Sequence, residues 1–198
     1  MTDTAELRAL LGGYQPGRVP VDLSQDDYSD VTHDLTPASV LVGIVDHASE
    51  PNLLMTVRNE RMKKHAGQVA FPGGRADPGE TAIETALREA KEEVALPPGS
   101  VDVIGTLDDY RTGTGYRITP IVGVVPPGLN YRAHEPEVDE IFEVPLRHAL
   151  DLANHREDAA VWQGRERCYF TIDWQPQRIW GATAGIIVNL SRTLAALR

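Results

Sequence analysis

Apolar residues recur along this chain in two rhythms, one of three to four residues and one of two. TAELRALL (4–11) and ATAGIIVNLSRTLAAL (182–197) keep the first, with Ile186, Leu190, Leu194 and Leu197 in line, and predict a helix near each end. ASVLVGIVDH and LLMTVR are β-forming runs separated by ASEPN, which predicts a hairpin over 38–58. GQVAF predicts a third short strand, and Pro72-Gly73-Gly74 is expected to stop it and turn the chain. VDVIGTLDDY and RITPIVGVV read as two strands around the glycine turn TGTGY, the second ended by Pro126-Pro127-Gly128. VDEIFEVPL reads as a strand ending before Pro145, LRHALDLA as one or two helical turns, and RERCYFTID as another strand. Strands mixed with long helices give an α/β class, a sheet covered on both faces.

A third helix is written into TAIETALREAKEEVAL. Thr81 and Glu84 have the spacing of a capping box, behind the turn Asp77-Pro78-Gly79. Ile83, Leu87, Ala90 and Val94 fall at spacings of four, three and four, and predict the buried face. Glu89, Glu92 and Glu93 converge on another patch, beside an expected ion-pair ladder of Glu84, Arg88 and Glu92. A solvated helix face with routine salt bridges is one reading of these charges. It leaves unexplained why like charges gather late in the helix, where the macrodipole disfavours them. A hard divalent cation reverses that penalty, because Mg²⁺ is held by a few carboxylates together with substrate phosphates. A backbone carbonyl at Gly73 is a further candidate oxygen.

Composition narrows the partners. The formal net charge of -10 excludes a broad nucleic-acid surface but not a small anionic substrate near bound cations. No leader pattern or bilayer-length apolar run is present, and Cys168 is the single cysteine, so no membrane association and a cytoplasmic location are expected. Arg58, Arg61, Lys63, Lys64 and His65 form a basic island in this acidic chain. It suits a multiply charged anion, and composition equally allows solvated strand-end and loop residues.

The acidic segment resembles the Nudix hydrolase signature, G-x5-E-x7-R-E-U-x-E-E-x-G-U, with U a bulky aliphatic. Gly74, Glu80, Arg88-Glu89, Glu92-Glu93 and Leu96 meet it. Ala90 is small for its position, and Ala95 replaces the glycine, which costs about 1–2 kcal/mol if the backbone there is left-handed. The run from Arg61 to Asp77 fits R-x-x-x-H-x-G-x-V-x-F-P-G-G-x-x-D and follows Leu53-Leu54 and Arg58, a pattern that looks like the coenzyme A diphosphatase branch. RIWGATAGIIVNL, from Arg178 to Leu190, is similar to the same branch where its last helix begins.

The resemblance implies an α/β/α sandwich with a mixed sheet between helices, over residues 36–198. Residues 1–35 are expected to form a helix and arm packed on that domain. It implies a Mg²⁺- or Mn²⁺-dependent diphosphatase that cuts coenzyme A or acyl-coenzyme A into 3′,5′-ADP and 4′-phosphopantetheine by direct in-line attack. Glu89 and Glu93 become the main metal pair, Glu92 a further ligand or water-activating group held by Arg88, and Glu80 a ligand through water or a second ion. Glu137 or Glu140, in HEPEVDEIFEV, is the candidate base from a distant loop. Arg58, Arg61, Lys63, Lys64 and His65 become candidates for the substrate phosphates. Another nucleoside diphosphate derivative, such as ADP-ribose or NADH, and a nucleotide-binding role with little turnover are the alternatives. A homodimer is compatible with the sequence, which does not require one.

Overall fold

The computed structural model describes residues 3–18, 35–62, 65–162 and 164–198. Lys63, Lys64 and most of the expected arm therefore lie outside the described residues. The central sheet is built on β1 (Thr36–Val45) and β7 (Tyr116–Val125), which run parallel from Thr36↔Tyr116 to Val45↔Val125. β7 occupies one edge of β1 throughout, so the other edge is divided. Ile44 and Val45 pair with β2 (Asn52–Arg58), whereas Ala38 to Val40 pair with β4 (Gly73–Arg75). β2 also carries β3 (Val69–Ala70) and β8 (Val138–Pro145). β5 (Asp102–Thr106) and β6 (Tyr110–Arg111) pair with β7 and complete a mixed sheet of eight strands among the described residues. The change of partner along β1 opens a cleft between β3 and β4.

Both faces of the sheet are covered, which is why β1 is apolar on both sides. Leu41, Leu54 and Ile121 pack under α2 (Ala82–Val94), against Ala86, Ala90 and Val94. Val42, Ile44, Leu53 and Val122 face α1 (Thr4–Leu11) and α4 (Ala182–Leu197), with Leu7, Leu11, Ile187 and Leu190 in the same core. The 38–58 hairpin, both terminal helices and the short α3 (Leu146–Leu150) follow the sequence pattern.

Three expectations are corrected. β3 stops at Ala70 and the chain bends at Pro72, as expected, but Gly73 and Gly74 are strand residues of β4 rather than turn residues. A Cβ at Gly73 would lie 2.6 Å from Val40 Cα, so glycine here permits strand contact. A second sheet, β9 (Arg156–Trp162), β10 (Arg165–Trp174) and β11 (Gln177–Trp180), joins the α4 side, where only the middle strand was expected. Phe170, Ile172 and Ile179 fix it to the core.

The third correction concerns α2. Ile83 is 41% exposed and Leu87 half-buried, whereas Thr85, Ala86, Ala90, Glu93 and Val94 are buried. The helix meets the sheet through alanines, whose short side chains allow a close approach that carries carboxylates to the sheet edge.

Candidate active site

Local sequence fixes α2 at both ends. Thr81 Oγ1 accepts from the Glu84 amide at 3.2 Å, and Glu84 Oε2 accepts from the Thr81 amide at 2.8 Å. Glu84 is thus a cap, and of the expected ladder the Arg88–Glu92 rung forms, at 3.1 Å. At the C-terminus Ala95 adopts a left-handed conformation, φ 56° and ψ 29°, so the alanine does stand where glycine would be unstrained.

Arg88 gathers the carboxylates. Its Nε and Nη2 donate to the two oxygens of Glu80 at 2.7 and 3.0 Å. Nη1 donates to Glu89 at 2.8 Å and Glu92 at 3.1 Å, and Nη2 also reaches the Arg75 carbonyl at 3.1 Å. One planar guanidinium therefore ties three glutamates to β4. Glu80 Oε2 additionally accepts from the Asp77 amide and Thr85 Oγ1, both at 3.0 Å. The Arg88 hydrogen bonds first, and then that amide, pull the Glu80 pKa down to about 2.

Glu89 and Glu93 sit deeper. Burial raises the pKa of both, that of Glu93 to about 7. Glu93 Oε2 accepts from the Gly73 amide at 3.1 Å, and its Oε1 stands 3.8 Å from Arg58 Nη1. Gly74 is open for Glu89: a Cβ there would lie 2.5 Å from the Glu89 carboxyl carbon. Gly73 thus enters the site through its N–H.

The loop before β8 is tied to the end of α2 by the Arg132 and His134 amides, which donate to the Val94 and Glu93 carbonyls at 3.1 and 2.9 Å. This brings Glu137 close enough for its charge to raise the pKa of Glu89 and Glu93. Asn59, which sequence reasoning missed, holds the loop from the other side. Its amide donates to the Glu137 carbonyl at 2.9 Å and its side chain to the Glu135 carbonyl at 2.6 Å. A polar residue at the end of an apolar strand, just outside the motif positions, was the available signal.

Glu140 is separated from this group. Its carboxylate accepts from Gln177 of β11 at 2.7 Å, on the side of the sheet away from α2, because it alternates with Ile141, which packs under the helix. Arg61 is separated too: it lines a hollow with Glu135 and Asp139, while Arg58 and His65 line the cleft. His65 is left-handed, φ 58°, and its Nδ1 is 2.9 Å from Gln68 Oε1.

The cleft has a volume of about 550 Å³ and reaches from Arg58 and Arg75 past Gly73 and Gly74 to Thr183. Arg58 Nε is buried without a hydrogen-bond partner among the described residues, so part of its donor capacity is unspent. No three described His, Cys, Asp or Glu side chains stand ready to share one ion. Arg88 engages Glu80, Glu89 and Glu92 instead. One buried carboxylate, Glu93, a half-buried one, Glu89, and a third nearby, Glu92, nevertheless fit Mg²⁺, which takes few protein ligands and keeps waters and phosphate oxygens for the rest.

The NUDIX domain family model matches residues 35–175. The chain is 46% identical over 155 residues to a protein named Uncharacterized Nudix hydrolase NudL from Escherichia coli strain K12, covering 78% of this chain and 80% of that protein. The NudL protein of Escherichia coli O139:H28 is 46% identical over 187 residues, 94% of this chain and 96% of that one. Among solved structures, the Nudix hydrolase RenU from M. smegmatis aligns with a TM-score of 0.50 at 21% identity, over 59% of this chain and 74% of that chain. A MutT/nudix family protein from Enterococcus faecalis gives a TM-score of 0.50 at 14% identity, over 82% of this chain and 63% of that chain. These two likenesses concern the fold.

Proposed function

The chain belongs to the NUDIX domain family and is a Nudix hydrolase, and from that premise we propose that it hydrolyses the diphosphate linkage of coenzyme A or acyl-coenzyme A. The observation that carries this reading is the junction of Arg58 and Glu93 at the cleft wall, where a guanidinium with an unspent donor adjoins the carboxylates of α2. Phosphate oxygens accept from such a donor, and a planar fork holds them better than a point charge does. The upstream pattern ending in Phe71-Pro72-Gly73-Gly74 supports coenzyme A as the carrier of that diphosphate.

Glu89 and Glu93 would hold Mg²⁺ or Mn²⁺ on the sheet edge, with Glu92 beside them and Glu80 set back through Arg88. When bound, the ion supplies charge neutralisation to the diphosphate and acidity to a water. Arg58 and His65 orient the substrate phosphates. Glu137 accepts the proton of the attacking water, since its charge acts on the same carboxylates and its loop is pinned by Asn59. The products are 3′,5′-ADP and the 4′-phosphopantetheine half.

Purified protein incubated with either metal and with coenzyme A, acetyl-coenzyme A, ADP-ribose or NADH tests the reading, with products identified by mass. The expected result is a kcat/KM for coenzyme A or its thioester at least about tenfold above that for ADP-ribose. Equal or better cleavage of ADP-ribose overturns the substrate assignment.

A further inference from the structure

The cleft does not end at α4. A second cavity of about 390 Å³ shares His65, Gln68, Thr112, Thr114, Ala182 and Thr183 with it, so the two form one continuous trough around the first turn of that helix. No described residue lining either part is an Asp or Glu, in a chain of net charge -10. The site carboxylates stand just behind one wall, Glu89 against Gly74 and Glu93 3.8 Å from Arg58.

The far ends of the trough differ in chemistry. The first closes on Arg58, Arg75 and the paired glycines, the second on Ala160, Val161, Cys168, Tyr169 and Trp180 of the small sheet, with Arg167 the one charged side chain among them. Among the described residues only Ile83, Leu152, Val161 and Trp180 are exposed large hydrophobics, and the last two, 75% and 37% exposed, stand at this second cavity. Apolar surface gathered at a cavity mouth marks a binding surface. The Tyr169 and Trp180 rings meet edge-on with centroids 5.7 Å apart, and the Arg178 guanidinium lies 6.0 and 5.9 Å from them. They leave no parallel slot for a flat base between them, and an irregular apolar wall suits a flexible chain.

We propose that the second cavity is an acyl-chain site, which takes the apolar group carried on the sulfur of an acyl-coenzyme A while the diphosphate lies beside α2. The inference rests on the coenzyme A reading and adds a preference to it: longer thioesters gain apolar burial that the acetyl group lacks, at about fourfold in affinity for each methylene removed from water. The small sheet is then the element that sets this preference.

Two measurements test it. In the first, kcat/KM for octanoyl-coenzyme A is compared with that for acetyl-coenzyme A. A ratio of about ten or more is expected, falling towards one in Val161→Asp, whose fold is checked by its thermal midpoint. In the second, iodoacetamide labelling of Cys168 in the unaltered protein is followed by mass under assay conditions, a single-site reading because the chain has one cysteine. Octanoyl-coenzyme A is expected to slow labelling, whereas acetyl-coenzyme A and 3′,5′-ADP leave it near the free rate. Equal turnover of both thioesters with unchanged labelling overturns the acyl site and leaves the coenzyme A reading standing. Cleavage of ADP-ribose with neither thioester cut overturns both.

Discussion

Glu93 Oε1 lies 3.8 Å from Arg58 Nη1, which joins the most deeply buried carboxylate of the acidic helix to the wall of the cleft. Burial raises the Glu93 pKa to about 7 from an ordinary value of 4.5, so the site holds its proton well above the usual carboxylate range. Below pH 4.5 folded and unfolded chains both carry that proton; between 4.5 and 7 only the folded chain does. Rising pH therefore favours unfolding across this window, by a total of about 3 kcal/mol. In metal-free protein the urea midpoint is expected to fall from pH 4.5 to 7, and Glu93→Gln should flatten that slope while lowering turnover about 100-fold. A wild-type midpoint that is level or rising over the same range counts against the buried carboxyl.

Arg88 makes a second test, since its five N–H groups are spread over Glu80, Glu89, Glu92 and the Arg75 carbonyl. Lysine keeps the charge but cannot reproduce the fork. Arg88→Lys should lower stability by about 1–3 kcal/mol, as judged by urea denaturation, and reduce kcat through displaced carboxylates. Full stability and activity in that variant would mean that charge alone is sufficient there.

The sequence made the carboxylate cluster legible because helical spacing depends on backbone geometry alone. Ala90 and Val94 of the expected buried face are buried, but Ile83 and Leu87 were placed there over Thr85 and Ala86 because they are more apolar, while the contact with β1 and β4 selects small size. Gly73 and Gly74 were misread for a related reason. A missing Cβ serves a turn or a close approach equally well, and only the strand pairing of Ala38 to Val40 distinguishes them. Of the small sheet only β10 was legible, because β9 begins Arg-Glu-Asp, without apolar alternation. Its charges are answered across the sheet, Arg156 to Asp173 at 2.6 Å and Arg178 to Asp158 at 3.0 Å, partners that no local window contains.

The paired glycines separate stability from chemistry. An added Cβ at Gly73 meets the backbone of Val40 at 2.6 Å, so Gly73→Ala must pry β4 from β1. At Gly74 the obstruction is the mobile end of Glu89, at 2.5 Å. Gly73→Ala is expected to cost about 2–4 kcal/mol in urea denaturation, whereas Gly74→Ala should keep a near-normal midpoint and lose activity by displacing Glu89. Reversal of that order would contradict the assigned contacts.

Ala95 carries a left-handed backbone at φ 56°, a conformation in which Cβ is disfavoured. Its amide still donates to the Lys91 carbonyl at 3.1 Å, so the helix end is closed at the expense of local strain. Ala95→Gly should raise stability by about 1 kcal/mol, or roughly 2–4 °C in thermal midpoint, without altering turnover, because the position supplies no group to the cleft. A lower midpoint would show that chain entropy outweighs strain at this cap.

Glu137 and Glu140 are three residues apart but serve different faces of the sheet. The charge of Glu137 helps raise the pKa of Glu89 and Glu93, after burial, while Glu140 is engaged by Gln177 at 2.7 Å. If Glu137 accepts the proton of the attacking water, Glu137→Gln removes the acceptor and preserves size, and kcat should drop about 100-fold with little change in KM. Glu140→Gln disturbs only a contact between the two sheets and should leave kcat near wild type, with a small loss of stability. Single-turnover measurement across pH separates a lost base from a weakened ion. A lost base abolishes the rising limb of the profile at saturating Mg²⁺, whereas a weakened ion is recovered by adding more of it. Recovery of Glu137→Gln at high Mg²⁺ would move that residue from proton acceptor to metal ligand.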